Sequence, residues 1–230
     1  MFSGLLHLLG PLDWIGLAWF LVCWVGYGVI VERGNDGAHN LLGGTHRERL
    51  TWARQMMERE NRVADVSLVG HLMGSVSFYA NTSVYILAGL MALVGGLDRV
   101  LNATADLPFA AHTSRELLEF KLLMLLVIFV VAYFNFTWSL RQFNVLSIVI
   151  GAAPAPGASD EIKERAARKQ AEVNTSAGDA FNSGIRAYYF GLAVVSWCIN
   201  GWVFIGMSTV VLIVLARRDF VSRTAAALRE

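Results

Sequence analysis

The chain has 230 residues, of which 55% are apolar and 16% charged, against about 25% charged in a typical water-soluble domain. A formal net charge of +1, with no basic patch interleaved with aromatics, argues against a nucleic-acid partner. A mean hydropathy of +0.49, with the charges crowded between four apolar stretches, is the pattern of a multi-pass membrane protein.

Met1–Gly10 is short and apolar and is expected to lie along a membrane surface. It lacks the basic start of a signal peptide, so the first span is read as retained. Pro11 suits the first position of a helix, where its missing N–H costs nothing. Residues 12–31 are the first expected span, with Trp14 and Tyr27 as interfacial anchors. Asn35–Gly44 reads as a turn-forming linker. His39 and His46, with Asp36 nearby, are too loosely spaced to require a metal. Thr45 is expected to cap a charged helix, with Glu48 completing a capping box. Along that helix Trp52, Ala53, Met56 and Val63 share one face, and Arg54, Glu58, Asn61, Arg62 and Asp65 the other. Arg54/Glu58 and Glu58/Arg62 are spaced as i,i+4 pairs.

This charged connector, residues 45–65, is expected to pass without a break into the second span, 66–94. There small and polar residues recur on one face: Ser67, Gly70, Gly74, Ser77, Asn81 and Ala88. Small residues let two helix backbones approach closely in lipid, so this face is expected to be covered by another helix of the chain. Asn81, deep in the span, should find a hydrogen-bond partner across the bundle or line a wet cavity. His71 is a titratable group near the same boundary.

Ser114 or Thr113 is expected to cap the third span, 117–140, whose middle is large and branched. Much of its surface reads as facing lipid. Nothing between Phe136 and Asn144 breaks a helix, so the third helix is expected to run on to Ile150. Pro154–Gly157 stops it. Ser159 then caps a second charged connector, 159–187, interrupted at Asn174–Gly178 and restarted near Asp179. The fourth expected span, 188–215, has a small-residue face bearing Gly184, Gly191 and Gly201 and a deep amide, Asn200. Residues 219–230 read as a mildly basic tail. Cys23 and Cys198 fall in apolar stretches and read as buried small hydrophobes.

Spans one and two share a plan with spans three and four. This predicts a parallel pseudo-repeat whose second and fourth helices meet through their small faces. Six Lys or Arg lie between spans one and two and six between spans three and four, against seven elsewhere. That balance predicts cytoplasmic connectors and termini outside.

The runs Trp52–Asp65 (WARQMMERENRVAD), Ser75–Thr82 (SVSFYANT), Phe136–Asn144 (FTWSLRQFN) and Phe181–Phe190 (FNSGIRAYYF) together resemble a family of bacterial inner-membrane proteins known only as a domain of unknown function. The similarity covers nearly the whole chain. It implies a four-span membrane protein and brings no substrate, cofactor or catalytic residue. It directs attention to Arg54, Arg59, Arg62, Asp65, Asn81, Arg141, Asn144, Asn182 and Arg186 as this chain's motif positions.

The sequence thus predicts an all-α, four-span protein of the inner membrane, one domain over residues 1–230, with no cofactor and no metal. Its expected partners are membrane lipids and a second copy or a larger membrane complex. The function that asks least of it is a non-enzymatic scaffold or accessory subunit. The alternative is a small transporter, channel or lipid- or anion-binding module using Asn81, Asn200 and the arginines at the span mouths. An enzyme would need a nucleophile with a base, or a carboxylate–metal cluster, and no spacing here demands one.

Overall fold

The structure, a computed structural model, describes residues 9–33, 41–99, 101 and 114–228. The expectations for residues 1–8, for His39 and Asp36 in the first linker, and for Thr113 fall outside the described residues. The helices are α1 (Pro11–Leu21), which passes through a π-helical turn (Val22–Gly26) into α2 (Tyr27–Arg33), then α3 (Leu41–Met57), α4 (Val63–Gly95), α5 (Arg115–Gly151), α6 (Asp160–Trp197), α7 (Gly201–Val221) and α8 (Arg223–Ala227). No strand occurs among the described residues. Among the described residues three stretches are long and apolar enough to cross a membrane: Pro11–Val31, Val63–Gly95 and Arg115–Gly151. At 33 and 37 residues, α4 and α5 are about 50 and 55 Å long, well beyond the ~30 Å of a hydrocarbon core.

Several helix boundaries follow from the local chemistry already noted. Pro11 opens α1. The Ser114 hydroxyl accepts from the Leu117 N–H at 3.2 Å, capping α5, which continues as expected through Asn144 to Gly151. Other boundaries differ. Thr45 is not a cap, because α3 begins at Leu41; its hydroxyl donates back to the Leu42 carbonyl. There is no break at Asn174–Gly178, since α6 runs unbroken from Asp160 to Trp197. The tail is helical: Ser222 accepts from the Ala225 N–H at 3.0 Å and starts α8.

The chain divides into two compact units, and α4, α5 and α6 contribute residues to both. In the unit formed by Met1–Glu32, Ser83–Ala132 and Ile185–Arg217, an aromatic cluster fills the core. Phe20 lies 5.4 Å from Phe204 and 5.8 Å from Phe190, and Trp24 stacks on Phe190. Tyr27 is buried. It belongs to this core and is not an interfacial anchor, whereas Trp14 is exposed.

The fourth expected span is not one helix. It is cut at Cys198–Asn200, between α6 and α7. Lys121, 3% exposed, donates from Nζ to the Trp197 carbonyl at 2.9 Å. A cation thus closes the carbonyl end of α6, where the helix dipole favours positive charge. Asn200 Oδ1 accepts from the N–H groups of Trp202 (2.7 Å) and Val203 (3.2 Å) and caps α7. Trp197 bridges the cut: its ring stacks on Phe204 at 4.8 Å, and its Nε1–H donates to Asp13 at 2.7 Å. Three candidate spans therefore replace the expected four.

The second unit comprises Arg33–Thr82, Tyr133–Gly184 and Arg218–Glu230. Here α3 packs on α6 and on the C-terminal tail. Gly44 lies so near Leu228 that an added Cβ would sit 2.7 Å from that residue's Cβ. The Leu228 carbonyl accepts from Arg47 at 2.6 Å.

The small-residue faces do not meet as expected. On α6 and α7 they are buried, but against other partners: Gly184 under Phe136, Gly191 against Phe129, Gly201 against Leu12. Gly70 and Gly74 on α4 are exposed, and a methyl added at either would meet nothing within 4 Å. The buried side of α4 is instead Asp65, Val69, Val76 and Ala80. Nor does α5 simply face lipid, for Ile128, Phe129, Ala132, Phe136 and Ser139 are buried. Bulky aromatics on α5 fill the room that the α6 glycines leave.

An added methyl at Gly184 would lie 2.5 Å from the Phe136 ring, which is wholly buried. Gly184→Ala should therefore destabilise the protein by about 1–3 kcal/mol, while Gly206→Ala, on the exposed side of α7 with nothing within 4 Å of an added methyl, should stabilise it by up to about 1 kcal/mol. Thermal unfolding in detergent checks both.

Candidate functional site

The polar motif residues gather where α3 turns into α4. The chain was expected to be one unbroken helix here, but residues 58–62 are non-helical. Asn61 Oδ1 accepts from the Val63 N–H at 3.0 Å, satisfying a free donor at the new helix start. Asp65, wholly buried, then faces back toward α3. Its Oδ1 accepts from Trp52 Nε1 at 2.7 Å and from Arg59 at 2.6 Å. A carboxylate without solvent is stable only with charge-assisted partners of this kind. Arg62 reaches the chain just beyond α5: Nη2 donates to the Pro154 carbonyl at 2.5 Å and Nη1 to the Ala153 carbonyl at 3.1 Å.

The break redirects the charges of α3. The expected pairs of Glu58 with Arg54 and with Arg62 are replaced by pairs to α6. Arg54 grips Glu164 with two hydrogen bonds, Nε to Oε2 at 2.9 Å and Nη2 to Oε1 at 2.8 Å. Arg168 adds a third at 2.7 Å. Hydrogen bonds from Arg54, then from Arg168, pull the Glu164 carboxyl from 4.5 down to about 2. Lys163 donates to both oxygens of Glu58, at 2.8 and 3.1 Å, and the bond raises its pKa. A cleft of about 270 Å³ lies among Arg54, Glu58, Lys163 and Glu164.

A second cavity, of about 90 Å³, is lined by Arg49, Ser75, Asn182, Gly178, Phe143 and Phe181, with Leu72 and Val76. Arg49 Nη1 is buried and meets no hydrogen-bond acceptor. Its guanidinium lies flat against Gly178, where any Cβ would overlap Nη2. Burial lowers the Arg49 pKa, and the neighbouring Asp179 opposes that shift. The Asp179 carboxylate is itself engaged by His46 at 2.9 Å.

A family described as "Protein of unknown function, DUF599" matches residues 15–224. The chain belongs to this family. No curated protein and no solved structure matches it.

In this DUF599 chain the four motifs are not one site. Arg54, Arg59, Arg62 and Asp65 form the junction, and Asn182 lines the Arg49 cavity. Arg141 lies over the Trp138 ring at 5.6 Å, and Asn144 donates to the Leu140 carbonyl. Arg186 is buried and partnered. His71 and Asn81 are exposed on α4, and Asn200 is a helix cap. Arg49 and Lys121 were not singled out from the sequence. The signal for Arg49 was its spacing: positions 49, 53 and 56 share one helical face, so a charge there joins the stripe of Ala53 and Met56.

Replacing Asp65 with Ala leaves Trp52 and Arg59 without their acceptor. It should lower stability by about 2–3 kcal/mol, read as a lower unfolding midpoint. Glu164 gives a pH-dependent test. Its folded pKa lies below its unfolded one, so its contribution is complete above pH 4.5 and is lost as pH falls toward 2. Glu164→Gln should unfold at a lower temperature than wild type at pH 7, and the gap should close on acidification through that window.

Proposed function

We propose that this protein is a non-enzymatic accessory or scaffold subunit of the inner membrane, which pairs with a second copy of itself through the exposed face of α4. The observation that carries this is the uncovered state of that face. Over its most apolar window α4 is 17% buried, against 39% for α5. Gly70, Gly74 and Asn81 all lie exposed. An amide facing hydrocarbon is costly. Two copies related by a two-fold axis would offer each Asn81 an identical amide and let the glycine backbones approach. The charged motif residues support a structural role, because Arg54, Arg59, Arg62, Asp65 and Glu164 are engaged in holding helices together.

The connectors 45–65 and 159–187 pair through Arg54–Glu164 and Lys163–Glu58, so they share one side of the membrane. Their Lys and Arg content supports a cytoplasmic position for that side. With Cys23 and Cys198 replaced by Ala, Glu172→Cys should react with a membrane-impermeant maleimide only after cells are broken. In the same background Gly74→Cys should cross-link two copies in native membranes. Gly74→Ile should convert a detergent-purified dimer to a monomer of unchanged helicity by light scattering and circular dichroism. A native protein that is monomeric and never cross-links at position 74 would overturn the pairing.

A further inference from the structure

Arg49 lines the second cavity and carries a buried guanidinium nitrogen, Nη1, that no hydrogen-bond acceptor meets. An arginine does not shed its proton inside a protein, so the charge persists, and an uncompensated buried charge is costly. Asp179 offsets part of that charge, but it makes no hydrogen bond to Nη1, and its Oδ1 is engaged by His46 at 2.9 Å. Nη1 meets no acceptor. The guanidinium is held in place by shape: Gly178 has no side chain to displace it. Around it, Asn182 offers amide donors and Ser75 a hydroxyl that is spent only on the His71 carbonyl at 3.2 Å. The remaining walls, Phe143, Phe181, Leu72 and Val76, are apolar and strengthen any charge pairing by excluding water.

We infer that this cavity binds a single phosphate-type oxyanion, which Arg49 engages through its planar fork and Asn182 through its amide. About 90 Å³ holds roughly three waters at ~30 Å³ each, which fits one oxyanion head and no nucleotide. Leu72 and Ser75 also belong to the exposed surface of α4, beside exposed Leu68 and Phe78. The oxyanion can therefore arrive as free phosphate or as the phosphodiester of a membrane lipid, with acyl chains along that surface. This inference does not depend on the pairing proposed above, which uses Gly70, Gly74 and Asn81.

The test uses the full chain, delipidated in an uncharged detergent, and follows the unfolding temperature against concentration of three probes. These are sodium phosphate, sodium chloride at matched ionic strength, and a short-chain phosphatidylglycerol below its micellar concentration. Binding to the folded state alone raises stability with ligand concentration. Phosphate or phosphatidylglycerol should stabilise the protein where chloride does not. Stabilisation by phosphate identifies a free anion, and stabilisation by the lipid alone identifies a headgroup site. In Arg49→Gln the apparent affinity should fall at least tenfold, and Asn182→Leu should weaken it severalfold. Because Nη1 makes no hydrogen bond without ligand, Arg49→Gln should unfold no earlier than wild type when no probe is present. The inference is overturned if neither phosphate nor lipid stabilises the wild type, which would leave water alone in the cavity. It is equally overturned if both variants respond as wild type, or if Arg49→Gln is markedly less stable without probe, which would make Arg49 a structural residue.

Discussion

One buried carboxylate governs the motif-rich part of this protein. Asp65 has no access to solvent, so its charge must be met by Trp52 and Arg59. Both donors precede it in sequence, Trp52 on α3 and Arg59 within the break at residues 58–62. A continuous helix would carry Trp52 about 20 Å along the axis from Asp65, at 1.5 Å per residue. The chain can join them only by turning back. That reversal also brings Arg62 onto the carbonyls of Ala153 and Pro154, so that α3, α4 and the segment after α5 converge around one acid.

Once α3 is folded back, its charges find α6 within reach. The resulting pairs join helices far apart in sequence, Arg54 with Glu164 and Glu58 with Lys163. Pairs along a single helix stabilise only that helix, by a few tenths of a kcal/mol. Pairs between helices define an arrangement. The same approach of α3 to α6 presses Arg49 against Gly178, with Asp179 of α6 as the nearby charge of opposite sign.

Glycine serves two different ends in this chain. On α6 and α7 it makes room for particular neighbours: the Phe136 ring over Gly184, the Phe129 ring beside Gly191, Leu12 beside Gly201. On α4 Gly70 and Gly74 admit nothing from their own chain. The spacing of small residues is alike in the two cases. What differs is whether a large side chain is delivered opposite, and that depends on how α5 and α1 are placed.

Hydropathy and local chemistry alone determined that the chain is helical, that it holds long apolar segments, that Pro11 begins a helix and that another begins at Thr113 or Ser114. They also showed that the third helix runs past Asn144. These features depend on residues within a turn or two of one another. Most of the motif positions in the α3–α4 junction were visible as a cluster of Arg and Asp, but not their partners. Tertiary structure alone decided the break before Val63, the cut at Cys198–Asn200 and the seating of Arg49 against Gly178. The cut rests on Lys121, some eighty residues before the carbonyl it closes, and the break on an acid that must be buried. An apolar run looks the same whether it is one rod or two, because the groups that end a helix can come from anywhere in the chain.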